Sequence, residues 1–193
     1  MVPGILVLLL TMVGANLTAI NIVKEKEIGT IEQINVTPVK KYYFVLGKLI
    51  PFWCLGLIVF SIGFTIAWLV YGIVPAGSFL TIYLFAAIYL FAVLGLGLLI
   101  STYANNQQQA MLISFFIMMV FVLLSGLYTS IDSMPEWAKI ITKFNPVSYF
   151  IEVIRRVVLK GSGLADIKYQ IVTIVGFAVV LNSWAVINYR KRS

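Results

Sequence analysis

The chain has 193 residues, 61% of them hydrophobic and 11% charged, with a net charge of +7 and a mean hydropathy of +1.01. Water-soluble domains carry roughly 25% charged residues, and several apolar runs here exceed the roughly 18–20 residues that cross a bilayer, so the composition excludes a soluble fold. The basic residues flank apolar runs and form no continuous patch, which sets nucleic acid aside in favour of anchoring against anionic lipid. There is no histidine, and the single cysteine, Cys54, lies inside an apolar run, which removes the commonest catalytic base, a metal cluster and a disulfide framework.

In chain order, the first apolar run covers 2–23 and carries Thr11, Asn16, Thr18 and Asn21. Polar residues of this kind usually face neighbouring helices and hydrogen-bond there; lining a substrate path is the alternative. Residues 24–48, KEKEIGTIEQINVTPVKKYYFVLGK, then hold five of the fourteen Lys/Arg and three of the seven acids. Burying those eight charges would cost about 24 kcal/mol at roughly 3 kcal/mol each, so the stretch is expected to stay in water as a loop over 24–44. Thr30-Ile31-Glu32-Gln33 fits a capping box, and Thr37-Pro38 reads as an N-cap followed by proline at the first helical position. The loop is thus predicted as two helical pieces jointed near 36–37. Ile28, Ile31 and Ile34 give the first piece an apolar ridge with Glu25, Glu27 and Glu32 around it, to be covered by a partner surface or by lipid headgroups.

The second span is predicted over 45–73 with Pro51 as a kink, the third over 79–101 with Gly95 and Gly97 allowing close helix contact, and the fourth over 109–128. Residues 129–168 read differently. Ser133-Met134-Pro135-Glu136 starts a short helix and Asn145-Pro146 breaks it. A second piece has Val147, Phe150, Ile151, Ile154, Val157 and Val158 on one face and Glu152, Arg155, Arg156 and Lys160 on the other. Glu152 and Arg156 are spaced for an i,i+4 pair. Neither piece can span; such a pair lies in the interface or dips in and returns. The last span is predicted over 169–189, ahead of Arg190-Lys191-Arg192. The fold class is therefore an all-α polytopic membrane protein of about five transmembrane helices in a single domain. Five spans put the 24–48 loop and the C-terminus on one side with eight Lys/Arg, against six in 129–169, and the positive-inside rule favours that side being cytoplasmic.

No Asp, Glu, Lys, Arg or His falls in the interior of a predicted span, where proton relays, voltage sensors and ion-coupled carriers need them. There is no phosphate-binding glycine loop, since Gly47-Lys48 lacks the preceding glycine, and no nucleophile–base pair or intramembrane carboxylate dyad. Covalent chemistry is not expected of this chain. Energy for uphill movement of a solute would have to arrive from another protein.

EKEIGTIEQINVTP followed by GKLIPF resembles the cytoplasmic loop of bacterial ABC type-2 exporter permeases. VPAGS, LGLGLLIST, QQQAM, LLSG, SMPEW, NPVSYFIEVIRRVVLKG and the basic tail continue the likeness in the same order over nearly all of the chain. The resemblance implies the membrane subunit of an ATP-driven exporter in a bacterial cytoplasmic (inner) membrane, with the C-terminus cytoplasmic. It implies a coupling helix docked on a separate cytoplasmic ATPase, carried over to Glu25, Glu27, Gly29, Thr30, Glu32 and Gln33. It implies an external re-entrant region whose residues would be Pro135, Trp137, Asn145, Pro146, Glu152, Arg155 and Arg156. It also implies pairing with a second permease copy or homologue, with ATP and magnesium held by the ATPase and no cofactor in this chain. Family permeases have six spans, the first followed by an external domain, and this chain is expected to begin at the family's second span. Two other readings stay open: an anchor or regulatory subunit that recruits an ATPase-like partner, and a lipid-modifying membrane enzyme, against which the missing intramembrane acids and bases count.

Overall fold

The computed structural model describes residues 2–29, 41–72 and 74–191, and among them every regular element is a helix. Seven α-helices follow in order: α1 (Val2–Ile28), α2 (Lys41–Tyr71), α3 (Phe79–Tyr103), α4 (Gln107–Leu123), α5 (Glu136–Thr142), α6 (Pro146–Lys160) and α7 (Lys168–Lys191). Short 3-10 turns at Ile131–Ser133 and Leu164–Ile167 lead into α5 and α7. Among the described residues, four segments are long and apolar enough to cross a membrane: Val2–Ile28, Leu46–Tyr71, Phe79–Tyr103 and Leu164–Asn188.

The fourth predicted span is shorter than expected. At 17 residues α4 measures about 25 Å, against a hydrocarbon core of about 30 Å. It stops at Leu124, whose N–H bonds back to the carbonyls of Val120 and Val122, and residues 124–128 turn away from the helix axis instead of extending it to 128.

The bundle is organised about α3, the most buried of the long helices, which packs chiefly on α7 and α1 and also meets α2, α4 and α6. Small residues let the backbones approach. A Cβ on Gly97 would stand 2.6 Å from the Ala15 carbonyl oxygen of α1, and one on Gly95 would stand 2.5 Å from the Asn182 amide of α7. Thr11 and Thr18 are buried as the packing reading expects. The Thr11 hydroxyl donates to the Val7 carbonyl at 2.6 Å, which leaves the Tyr89 hydroxyl to donate to Thr11 at 2.6 Å. Asn182 ties α7 to α3 by donating to the Phe91 carbonyl at 2.9 Å.

Lys26 donates to the Ala104 carbonyl at 2.9 Å, and Asn188 to the Tyr103 hydroxyl at 3.1 Å, so α1, α3 and α7 end together. The starts of α2 and α4 lie at that same end, called here the loop end. The opposite end, where the 74–78 turn joins α2 to α3, is the turn end.

The apolar face of the amphipathic helix α6 meets protein. Val147, Phe150, Ile151, Ile154, Val157 and Val158 are buried against α1, α3 and their neighbours. Phe150 sits among Phe60, Phe85 and Tyr89, with ring centroids 6.0, 5.2 and 4.7 Å away. The reason is geometric: α1 and α3 leave a slot that a fifteen-residue helix fills, and close packing there accounts for the burial of that face. Two backbone bonds fix its far end, from Ala76 N–H to the Val158 carbonyl at 3.1 Å and from Gly77 N–H to the Val157 carbonyl at 3.0 Å.

Candidate functional site

The predicted site residues fall into two groups at opposite ends of the bundle. At the loop end, α1 does not stop where the charges begin. Lys and Glu are good helix formers, and Lys26 in the last turn complements the helix dipole, so the helix runs through Ile28. Glu25 and Glu27 therefore stand on the polar end of α1 and not on a separate short helix in a 24–44 loop. Gly29 has φ +79° and closes the helix, its N–H bonding to the Lys26 carbonyl at 3.3 Å. A left-handed residue just past the last turn is where glycine is strongly favoured. Thr30, Glu32 and Gln33, with the predicted capping box and the Thr37-Pro38 cap, lie outside the described residues.

Each acid on this end reaches a different helix. Glu25 pairs with Lys48 of α2, and the same ammonium donates to Asn21 at 3.2 Å. The second Glu25 carboxylate oxygen is buried with no hydrogen-bond partner among the described residues. Glu27 accepts two bonds from Gln107 at the start of α4, from the backbone N–H at 3.0 Å and from the side-chain amide at 2.5 Å. Asn106 caps α4 by accepting from the Gln109 N–H at 2.7 Å, which presents the Gln107 N–H towards α1. Lys26 binds the carbonyl of Ala104, the residue that ends α3. The last turn of α1 is thus bonded to α2, α3 and α4 at once. Asn21, Lys26, Lys48 and Gln107 were not among the predicted site residues; the GKLIPF and QQQAM motifs contained two of them, but nothing in the spacing tells which carboxylate each would meet.

At the turn end, Pro135 precedes α5 as its N-cap residue and Trp137 is exposed. Asn145 caps α6, its side-chain oxygen accepting from the Val147 N–H at 3.0 Å, and its amide donates to the Phe121 carbonyl of α4 at 2.7 Å. Pro146 occupies the first helical turn, where its missing N–H costs nothing. Glu152 and Arg156 form the expected pair at 2.5 Å, and Gln170 of α7 donates to Glu152 at 3.2 Å. Arg155 donates to the Leu127 carbonyl at 3.3 Å. Between α6 and residues 125–132 lies an open cleft of about 620 Å³, into which Glu152, Arg155 and Arg156 face. Of the described site residues, Glu25, Glu27 and Gly29 lie at the loop end and the others at the turn end, where Glu152, Arg155 and Arg156 share the cleft. Among the described residues no set of side chains could hold a metal ion.

A family model described as ABC-2 family transporter protein matches residues 1–187. The probable multidrug ABC transporter permease YbhR of Escherichia coli (strain K12) is 28% identical over 191 residues, which are 99% of this chain and 52% of that protein. Its YbhS counterpart from the same strain is 29% identical over 180 residues, 93% of this chain and 48% of that one. The inner membrane transport permease YhhJ, also from that strain, is 27% identical over 186 residues, 94% of this chain and 49% of that protein. The chain spans about half the length of the curated relatives it matches.

Proposed function

The chain belongs to the ABC-2 transporter family, and from that membership we propose that it forms part of the membrane pathway of an exporter driven by a separate ATPase. The match over residues 1–187 carries this reading. Force enters at the polar end of α1, through Glu25, Glu27 and Gly29 together with Thr30, Glu32 and Gln33 beyond it. The ATPase grips that region from the cytoplasm of a bacterial cell. A push there reaches α2 through Lys48, α3 through Ala104 and α4 through Gln107, so three helices respond to one lever. The loop end is cytoplasmic, and with it the C-terminus. The α5–α6 pair is the external re-entrant region, and α4 crosses the membrane as a short fifth span aided by the turn after it. A second permease copy completes the pathway. ATP and magnesium are held by the ATPase, and this chain catalyses no bond-making step.

The names of the relatives point to small drug-like compounds as the cargo class, and the apolar interior suits amphiphiles. The test is reconstitution of the chain with the ATPase encoded beside its gene, in liposomes, reading ATP hydrolysis and export of a fluorescent amphiphile together. Stimulated hydrolysis with export supports the exporter. Hydrolysis in a stable complex without export would instead fit an anchor or regulatory subunit, and failure to bind any such ATPase would overturn both.

A further inference from the structure

The cleft at the turn end has a charge arrangement that the transport reading leaves unused. Arg156 is neutralised by Glu152, and Glu152 is further held by Gln170. Arg155 directs one of its five N–H groups at the Leu127 carbonyl, and the Lys160 ammonium has no partner among the described residues. Both line the cleft. Three cations against Glu152 and Asp132 leave the cleft with a net charge of +1, from 3 − 2 over the same lining residues. That balance fits a singly charged phosphodiester, whereas inorganic phosphate, near −1.5 to −2 at neutral pH like a phosphomonoester, would meet the Asp132 carboxylate with charge to spare.

The surroundings identify the rest of the ligand. Leu159, 72% exposed, and Ile131 form an apolar rim beside the two cations. Tyr128, Trp137 and Tyr169 are exposed on the segments around this end, and exposed Tyr and Trp at the end of a membrane bundle mark the headgroup level. The cleft therefore opens where phosphodiesters sit, with an apolar wall for the chains attached to them. Its volume is in the range of small-ligand sites.

We propose that the cleft between α6 and residues 125–132 binds the phosphodiester headgroup of a membrane glycerophospholipid, with Arg155 and Lys160 as its ligands and the acyl chains leaving over Leu159 and Ile131. The site is independent of which ATPase drives the chain.

The experiment is native mass spectrometry of the 193-residue chain released from detergent micelles. Three probes are used: phosphatidylglycerol, diacylglycerol with the same acyl chains, and inorganic phosphate. One phosphatidylglycerol per chain is expected to be retained and diacylglycerol is not. Lys160→Ala and Arg155→Ala should each weaken retention on the order of tenfold, the worth of one charge-assisted contact, with Lys160→Arg restoring it. Lys139→Ala, on α5 and paired with Glu136 outside the cleft, should leave it unchanged. Should Arg155→Ala fail to fold for want of its bond to Leu127, exposed Lys160 and its arginine variant still decide the matter. Equal retention of diacylglycerol, or indifference to both substitutions, would reduce the lipid to a nonspecific annulus and overturn the proposal. Displacement of the lipid by equimolar inorganic phosphate would overturn the assignment to a lipid-borne phosphodiester.

Discussion

Glu27 and Gln107, eighty residues apart in the chain, meet through two hydrogen bonds on one carboxylate, one from backbone and one from side chain. The contact joins the last turn of α1 to the first turn of α4, and only the side-chain half can be removed by changing Gln107. Glu27→Ala should lower cargo-linked ATP hydrolysis by the reconstituted complex, with Gln107→Ala doing so more weakly because its backbone N–H remains. The pair is exposed, so each effect should be a factor of about five or less, and Glu27→Ala combined with Gln107→Ala should be no worse than Glu27→Ala alone. Additive losses in that double-mutant cycle would show that the two side chains act separately.

Gly97→Val should destabilise the bundle by about 2 kcal/mol, since the added atoms meet the backbone of Ala15 and the side chain of Thr18 on α1, and the backbone cannot rotate away. Gly176→Ala on α7 is the control. Among the described residues nothing lies within 4 Å of the added methyl group, and stability should hold or rise by up to about 1 kcal/mol from helix propensity. Thermal unfolding in detergent separates the two.

Phe150→Ala should cost about 2–3 kcal/mol. In water-soluble cores such a truncation costs about 3–5 kcal/mol, but inside a membrane bundle transfer from lipid contributes little and the lost packing against Phe60, Phe85 and Tyr89 dominates. Phe150→Leu, which keeps most of the volume, should cost less than half as much. Chemical denaturation in mixed micelles would measure both.

Among the described residues, a methyl group added at Gly29 would meet no neighbour within 4 Å, so the penalty expected for replacing this residue is conformational. At φ +79°, Gly29→Ala should cost about 1 kcal/mol and Gly29→Asn less, because asparagine tolerates the left-handed region. The ordering glycine, asparagine, alanine in unfolding midpoint is the expected result; alanine equal to glycine would mean that the chain leaves α1 in another way.

Much of the fold was legible because hydropathy and helix punctuation are local. The apolar runs marked the long helices, and Asn145-Pro146, read as the break between two short helices, falls where α6 begins. Spacing says less where a distant partner decides the outcome. The charges after Val23 look like the beginning of a loop, yet Lys and Glu are good helix formers and α1 runs on to Ile28, where Lys48 and Gln107 meet Glu25 and Glu27. Likewise the apolar stripe of α6 has the period of an interfacial helix, and only the slot left by α1 and α3 turns it inward. For the candidate site, the residue types at the loop end were visible and their pairings were not. The cleft by Arg155 depends on residues 125–132 folding over α6, which no spacing in either segment announces.

The 74–78 turn, brief and uncharged, looks like a harmless place to insert an epitope or a reporter for mapping membrane sidedness. Its two amides, on Ala76 and Gly77, hold the final turn of α6. A tag placed there would unfasten that helix and open the neighbouring cleft, so the readout would describe a damaged molecule.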